Sequence, residues 1–137
     1  MAAPLDASGC RAPRALDRNL VVLSGDTHNV RASDPTDFSG HRIGVEFARP
    51  LVSSPGLEGF FTTEGPLAVA AGLTQIIGPL QYADTARSGF MTVTASATDC
   101  HAEWRYLSMV KSRTFTVANS PALRMWPVAA NRRIAPG

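Results

Sequence analysis

The feature that most restricts the fold of this chain is the strict alternation of apolar and polar residues over 100–106, Cys-His-Ala-Glu-Trp-Arg-Tyr. In an extended strand the apolar residues share one face and the polar residues the other: Cys100, Ala102, Trp104 and Tyr106 against His101, Glu103 and Arg105. The period of two recurs in "FMTVTAS" (90–96) and "SRTFTV" (112–117). Three such segments with short connections predict an antiparallel meander.

The first half of the chain predicts two further strands and a helix. The continuous apolar run 19–23, "NLVVL", is typical of a strand covered on both faces, and 41–47, "HRIGVEF", of a half-buried strand. Residues 66–79 have helical spacing, begin with a proline and end at Gly78-Pro79, whereas 49–66 are rich in proline and glycine and predict a loop. The expected fold is α/β or α+β, mostly antiparallel strands with one or two short helices. So few helices cannot cover strand 19–23, which suggests a missing partner.

Composition excludes several classes of protein. A chain of 137 residues fits one domain, and a net charge of +2 gives no basic footprint for nucleic acid. Cys10 and Cys100 lie far apart without metal-type spacing, so free thiols are expected. The first residues do not form a recognisable signal peptide, and the apolar stretch 66–78 is too short to cross a bilayer. As written, the chain is expected in the cytoplasm, away from membranes.

The residues with the clearest chemistry follow the first strand. In "SGDTHN" (24–29), Asp26 offers a carboxylate oxygen and His28 an imidazole nitrogen, which together suit a transition metal. Two residues apart in an extended segment, both side chains would face one site. Gly25 lets the backbone turn without a side-chain clash. Asn29 could add an amide oxygen to the ligands or orient the imidazole from outside the ligand set. Alone, the pattern is more often a capped turn with a satisfied histidine.

Several segments in order resemble the C-terminal part of the alkaline phosphatase D (PhoD-like) family of metallophosphoesterases. They span Arg18 to about Arg133: "RNLVVLSGDTHN", "GVEF", "SSPG", "LQYADTARSGFMTVT" and "AEWRYLSMVKSRTFTV". The resemblance implies an αββα metallophosphoesterase sandwich, of which residues 18–133 would be the C-terminal part. From their composition, residues 1–17 are expected to be an irregular lead-in; the segment 131–137 is expected to fray, with 134–137 as a tail outside the domain. After "GDTHN" this chain has Val30 and Arg31 where the family usually has serine and tryptophan.

The resemblance also implies a function. Members hydrolyse phosphate mono- and diesters with hydroxide activated by iron and calcium, and Asp26 and His28 match two of the family's metal ligands. The other ligands come from motifs nearer the N-terminus, which this chain lacks. The chain is therefore expected to be a C-terminal portion, inactive alone, either truncated or completed by a partner chain; full-length members are typically exported. A non-catalytic β-rich structural or binding module is the alternative.

Other polar residues favour ordinary roles. His41 is expected in a solvent-facing turn, Ser53 and Ser54 in a turn, and Trp104 in sheet packing. Arg31 and Arg49 could contact phosphate through a guanidinium fork, but solvated arginines are commoner.

Overall fold

The computed structural model describes residues 20–54, 65–127 and 133–137. The predicted lead-in at 1–17, Cys10 and most of the predicted loop at 49–66 lie outside these residues. In the described residues, nine strands form two sheets and one helix accompanies them: β1 (Leu20–Ser24), β2 (Val30–Ser33), β3 (Gly44–Ala48), α1 (Pro66–Ile76), β4 (Leu80–Asp84), β5 (Gly89–Ala95), β6 (Cys100–Leu107), β7 (Val117–Asn119), β8 (Leu123–Met125) and β9 (Ala135–Pro136).

The first sheet has the order β1-β3-β2-β4, with β1 parallel to β3 and the other pairs antiparallel. The second has the order β5-β6-β8-β9, and β7 also pairs with β6; all its pairs are antiparallel. The predicted class, mostly antiparallel strands with a short helix, is thus confirmed for the described residues.

The core lies between the two sheets and contains the apolar face predicted for residues 100–106. Trp104 and Tyr106 on β6 are almost fully buried, and they pack in one cluster with Val45 and Phe47 on β3. The Phe47 and Trp104 rings meet edge to face with centroids 6.2 Å apart. The alternation over β6 therefore orients the second sheet against the first, as the period of two predicted.

The strand predicted at 41–47 is present, shifted to 44–48. Val45 and Phe47 are completely buried and Glu46 between them is partly exposed, so the alternation is confirmed. Arg42 belongs only to an isolated bridge with Thr36, which is why the strand begins later than predicted.

The meander prediction is confirmed for β5, β6 and β7, but the position of its third strand was wrong. β7 begins at Val117, and Phe115 is 49% exposed. The cause is the end of β6 at Leu107, after which the chain closes a loop: Ser108 N donates to Thr116 O at 3.0 Å, and Thr116 N donates to Ser108 Oγ at 3.0 Å. Residues before Thr116 therefore have no strand to pair with.

The strand at 19–23, whose apolar run predicts cover on both faces, does not have that cover within the described residues. β1 lies at the edge of its sheet, with Val22 37% and Leu23 59% exposed. In the described residues only β3 pairs with it, while α1 packs against β4 at the opposite edge. The apolar run is therefore left partly open to solvent in this part of the chain.

The helix predicted over 66–79 forms over Pro66–Ile76, with the proline in its first turn. The last turn closes through Ile77 N, which donates to Leu73 O at 2.9 Å, before Gly78-Pro79. Its helical apolar spacing is only partly used, because Ala70 is buried but Leu67 is 80% and Ile77 45% exposed.

The end of the chain is paired with the sheet, contrary to the frayed tail that was predicted. β9 pairs with β8, and Ile134 N donates to the buried Asp34 Oδ1 at 2.8 Å. Burial raises the pKa of Asp34, against the opposing effects of this hydrogen bond and of Arg42. These contacts connect the last residues to the first sheet.

Candidate functional site

The predicted ligands lie in a turn at one end of the first sheet. Residues 25–29 connect the end of β1 to the start of β2 at Val30. Because β3 runs parallel to β1, it ends at the same place, and Arg49 N donates to Ser24 O at 2.9 Å. β4 also ends here, because Asp84 pairs with Val30. Three loops therefore converge on this end of the sandwich.

The role of Gly25 comes from its lack of a side chain, which leaves room for Arg49, and not from an unusual backbone angle. It does not adopt a positive φ. A Cβ atom added to it would lie 2.5 Å from Arg49 Nε, well inside van der Waals contact. The predicted avoidance of a side-chain clash therefore involves Arg49, an exposed residue whose Nη1 also donates to Pro50 O at 3.2 Å. A side chain at position 25 therefore requires the Arg49 side chain to shift from its present position.

The turn does not have the extended geometry from which the sequence argument placed Asp26 and His28 on one side. Residues 26–29 form turns and bends, and His28 has a left-handed backbone with φ of 58°. Such a conformation is uncommon for a residue with a side chain and is found often at functional sites. Asp26 is exposed and His28 half-buried. Asp26 and His28 are still close in the sequence. Because this segment is not a strand, however, the alternation of strand residues does not place their side chains on one side.

Asn29 is the buried polar residue of this turn, with 8% exposure. Its Nδ2 donates to Thr27 O at 2.7 Å, which fixes the amide inside the turn. Its Oδ1 is buried and accepts no hydrogen bond in the described structure. A buried carbonyl oxygen without a donor is costly, so this atom is suited to accept a hydrogen bond or to bind a cation.

Within residues 20–54, 65–127 and 133–137, no group of three or more histidine, cysteine, aspartate or glutamate side chains is arranged to hold a metal ion. The predicted donors Asp26 and His28 supply a carboxylate oxygen and an imidazole nitrogen, which fit iron in type. They do not fit it in number, because metal sites use about four or more ligands. The described residues thus provide part of a metal site at most.

Next to this turn lies a polar cluster that the sequence analysis did not predict. Asp84 is buried, and its Oδ1 accepts hydrogen bonds from the backbone N–H groups of Ala86 at 3.1 Å and Arg87 at 2.9 Å. Its Oδ2 accepts from Arg87 Nε, and the guanidinium lies 3.7 Å from the centre of the Tyr106 ring. Tyr82 Oη and Tyr106 Oη are 2.8 Å apart. The cluster fixes the loop that follows β4.

Two groups in this cluster, Arg87 and Tyr106, have raised pKa values. Burial by itself would lower the pKa of Arg87, but the hydrogen bond and charge of Asp84 raise it overall. Burial and the hydrogen bond with Tyr82 raise the pKa of Tyr106, so its phenol stays neutral. The residues "YAD…R" (82–87) are visible in the sequence. That Arg87 stacks on Tyr106 is not, because Tyr106 lies on β6, which is distant in the sequence.

Glu46 forms a second network on the outer face of the first sheet. It accepts hydrogen bonds from Ser24 Oγ at 2.7 Å, Ser33 Oγ at 2.8 Å and Arg31 Nη2 at 3.0 Å. Burial favours a higher pKa for Glu46, but these hydrogen bonds and the Arg31 charge lower it overall. Arg31 is therefore engaged with Glu46, and Glu46 connects β1, β2 and β3.

The remaining sequence candidates have structural roles. His41 is exposed in a turn, as predicted, with Nδ1 3.3 Å from Asp37 Oδ2. His101 lies on the polar face of β6, with Nδ1 3.6 Å from Asp99 Oδ2, and Cys100 is buried as a free thiol. Trp104 is buried in the core, as predicted, and its Nε1 donates to Ala48 O at 2.9 Å.

Comparison with known proteins identifies the family. The family model of PhoD-like phosphatases matches residues 10–104, which include the 25–29 turn, β1 to β5 and most of β6. A solved structure described as PhoD matches with a TM-score of 0.64 and 18% identity, over 84% of this chain and 22% of that one. No curated protein matches the chain. In the described ranges, no helix has the length and apolar character required to cross a membrane. On the strength of the family match, this chain belongs to the PhoD-like phosphatase family.

Proposed function

We propose that this chain is part of a phosphoric-ester hydrolase, a phosphatase and phosphodiesterase of the PhoD type. The observation that carries the proposal is the position of the 25–29 turn: it lies inside the matched region and at the end of the sandwich where loops from three strands converge. Ends of strands that open into loops are the usual ligand sites of layered folds. In this proposal the sandwich belongs to a larger αββα arrangement.

Asp26 and His28 would hold the metal, with iron and calcium as the ions that the family resemblance implies. When bound, such ions act as Lewis acids toward a phosphoryl oxygen and activate water. Asp26 is exposed and available to a cation. Asn29 is fixed by its hydrogen bond to Thr27 O, and its buried Oδ1, which accepts no hydrogen bond in the described residues, would either join the ligands or accept a hydrogen bond from a group beside them.

Arg49, which follows β3, is a cation beside this turn that would be available to the substrate. It is exposed, and its side chain lies against Gly25, directly before Asp26. A guanidinium forms strong paired hydrogen bonds with phosphoryl oxygens, so Arg49 would orient the ester and offset its charge. Arg31, engaged with Glu46 at 3.0 Å, is the less suitable of the two arginines weighed for this role.

The chain alone would be inactive or nearly so. Two ligand residues cannot retain a cluster of two metal ions, and the chain spans only 22% of the solved PhoD chain. An N-terminal portion, from a longer form of the chain or from a partner, would supply the missing ligands. Activity of the complete enzyme is part of the proposal.

The test is hydrolysis of p-nitrophenyl phosphate and bis(p-nitrophenyl) phosphate, with iron and calcium supplied, by the chain alone and with an N-terminal PhoD portion. We expect turnover only in the completed form, and its loss in Asp26→Asn. Asp37→Asn is the matched control, because Asp37 is an acid in a different turn. Turnover by the isolated chain that Asp26→Asn abolishes would refute its incompleteness. A completed form without turnover would favour the non-catalytic alternative.

A further inference from the structure

An open pocket of ≈ 540 Å³ lies between the loop that joins β4 to β5, the end of β6 and the loop that follows β6. Two cationic side chains, several hydroxyls and a group of apolar side chains line it; those that matter here are Arg87, Lys111, Ser108, Tyr106, Met109 and Val110. We call it the Arg87–Lys111 pocket. Small-molecule sites usually have volumes of about 300–1,000 Å³, so its size suits a small organic group.

Hydrogen bonds place this pocket at the same end of the sandwich as the 25–29 turn. β4 ends at Asp84, which pairs with Val30, the first residue after the turn. Arg87 in turn donates from Nε to the Asp84 carboxylate. In the second sheet, Gly89 N at the start of β5 donates to Leu51 O at 2.9 Å, in the segment that follows β3. A substrate held at the turn could therefore extend across this end of the sandwich toward the pocket.

The pocket has a positive charge that the described residues do not neutralise. None of the described residues that line it is an aspartate or a glutamate. Arg87 pairs with the buried Asp84, so these two charges cancel, although the Arg87 side chain is still 47% exposed and keeps N–H groups for a ligand. Lys111 is exposed and has no ion pair within the described ranges. The lysine therefore gives the pocket a net positive charge.

The apolar surface beside these cations indicates which kind of anion fits. Met109 is 51% and Val110 40% exposed, and both line the pocket with Lys111. An inorganic anion gains nothing from an apolar wall. An organic anion removes both its own apolar surface and that of the wall from water, while its charge pairs with the ammonium group. The lining thus favours an apolar body that carries an anionic substituent.

We propose that the Arg87–Lys111 pocket is a subsite for the second, non-reacting ester group of a phosphodiester, selective for an ester group that combines an apolar body with an anionic substituent. This inference rests on the proposed function. The reacting phosphoryl group lies at the 25–29 turn, and the second ester group lies against Met109 and Val110. Its anionic substituent pairs with Lys111 and accepts a hydrogen bond from Arg87. A monoester has no second ester group and cannot use the pocket.

The first experiment measures binding to this chain labelled with ¹⁵N, with phenylphosphonate as the probe because it joins an aromatic ring to an anion. The Ser108 and Lys111 amide signals should shift on titration. Lys111→Gln should weaken this binding roughly fivefold, the effect of losing one exposed ion pair, and Lys111→Arg should retain it. Arg113→Gln is the matched control, because Arg113 is an exposed cation of the same loop that does not line the pocket; it should change binding less than about twofold.

The second experiment measures selectivity in the completed form. The substrates are 3-carboxyphenyl p-nitrophenyl phosphate and phenyl p-nitrophenyl phosphate, which release the same p-nitrophenol and differ only in the charge on the second ester group. We expect kcat/KM to be roughly fivefold higher for the carboxyphenyl diester. Lys111→Gln should bring the ratio close to one, whereas Arg113→Gln should preserve it.

The outcomes separate this inference from the proposed function. Binding of phenylphosphonate that Lys111→Gln weakens, together with no turnover of either diester, supports the ligand chemistry of the pocket and counts against the function. Turnover of both diesters with equal kcat/KM overturns the subsite and leaves the function standing. Absence of shifts at Ser108 and Lys111, or equal effects of Lys111→Gln and Arg113→Gln, also overturns the subsite.

Discussion

Trp104→Phe tests how the two sheets are held together. Trp104 is completely buried, its ring contacts Phe47 and Tyr82, and its Nε1 donates to Ala48 O in the other sheet. Phenylalanine keeps an aromatic ring but cannot donate, and the lost hydrogen bond costs about 1 kcal/mol. The smaller ring leaves a void of roughly 40 Å³, which at about 24 cal/mol per Å³ costs about 1 kcal/mol more. The free energy of unfolding should fall by about 2 kcal/mol.

The measurement is urea denaturation followed by circular dichroism, with a thermal scan in parallel. For a domain of this size we expect Tm to fall by roughly 6–12 °C, with an unchanged urea m-value. Phe90→Leu is the control: Phe90 is 47% exposed on β5, and the change should stay within about 0.5 kcal/mol. If Trp104→Phe is as mild as Phe90→Leu, the indole is not a main contact between the sheets.

Three further predictions concern the networks around the site. The pKa of Glu46 is lowered in the folded state, so its contribution to stability is present above its unfolded pKa and is lost as the pH falls through the folded pKa. Thermal scans at decreasing acidic pH should therefore show a falling Tm, and Tm should fall less in Glu46→Gln. Tyr106→Phe removes the hydroxyl partner of Tyr82 but keeps the ring, so urea titration should show a loss of about 1 kcal/mol; no loss would mean that water replaces the bond. Gly25→Ala shifts the Arg49 guanidinium and Arg49→Ala removes it, so both variants should raise KM of the completed enzyme more than they lower kcat. An unchanged KM would exclude Arg49 from substrate binding.

The fold could be predicted where a residue pattern acts within one strand. The alternation over 100–106 correctly assigned Trp104 to the core, because a strand's two faces are determined by its own residues. It failed for 112–117, since pairing depends on where the neighbouring strand ends, at Leu107. The apolar run 19–23 likewise indicates a strand but not what covers it, because its coverage depends on other elements.

For the candidate site, the sequence predicts which residues could bind a metal but not how the turn arranges them. Asp26 and His28 were recognised from residue chemistry and family resemblance, and their role as ligands stays a prediction. The proximity of Gly25 and Arg49 depends on β1 and β3 ending together, and the left-handed backbone at His28 belongs to the folded turn. Those features arise from tertiary structure and have no signal in a local pattern.

The central claim is that Asp26 and His28 bind metal, and its most direct test is the metal content of the completed assembly. This assembly is the present chain bound to the N-terminal portion of PhoD, supplied with iron and calcium and then freed of unbound ions. Mass spectrometry of the elements should find metal retained by the assembly, only a substoichiometric amount in the isolated chain, and a loss from the assembly in both Asp26→Ala and His28→Ala. Metal retained equally by the assembly with and without these two substitutions would contradict the assignment of Asp26 and His28 as ligands.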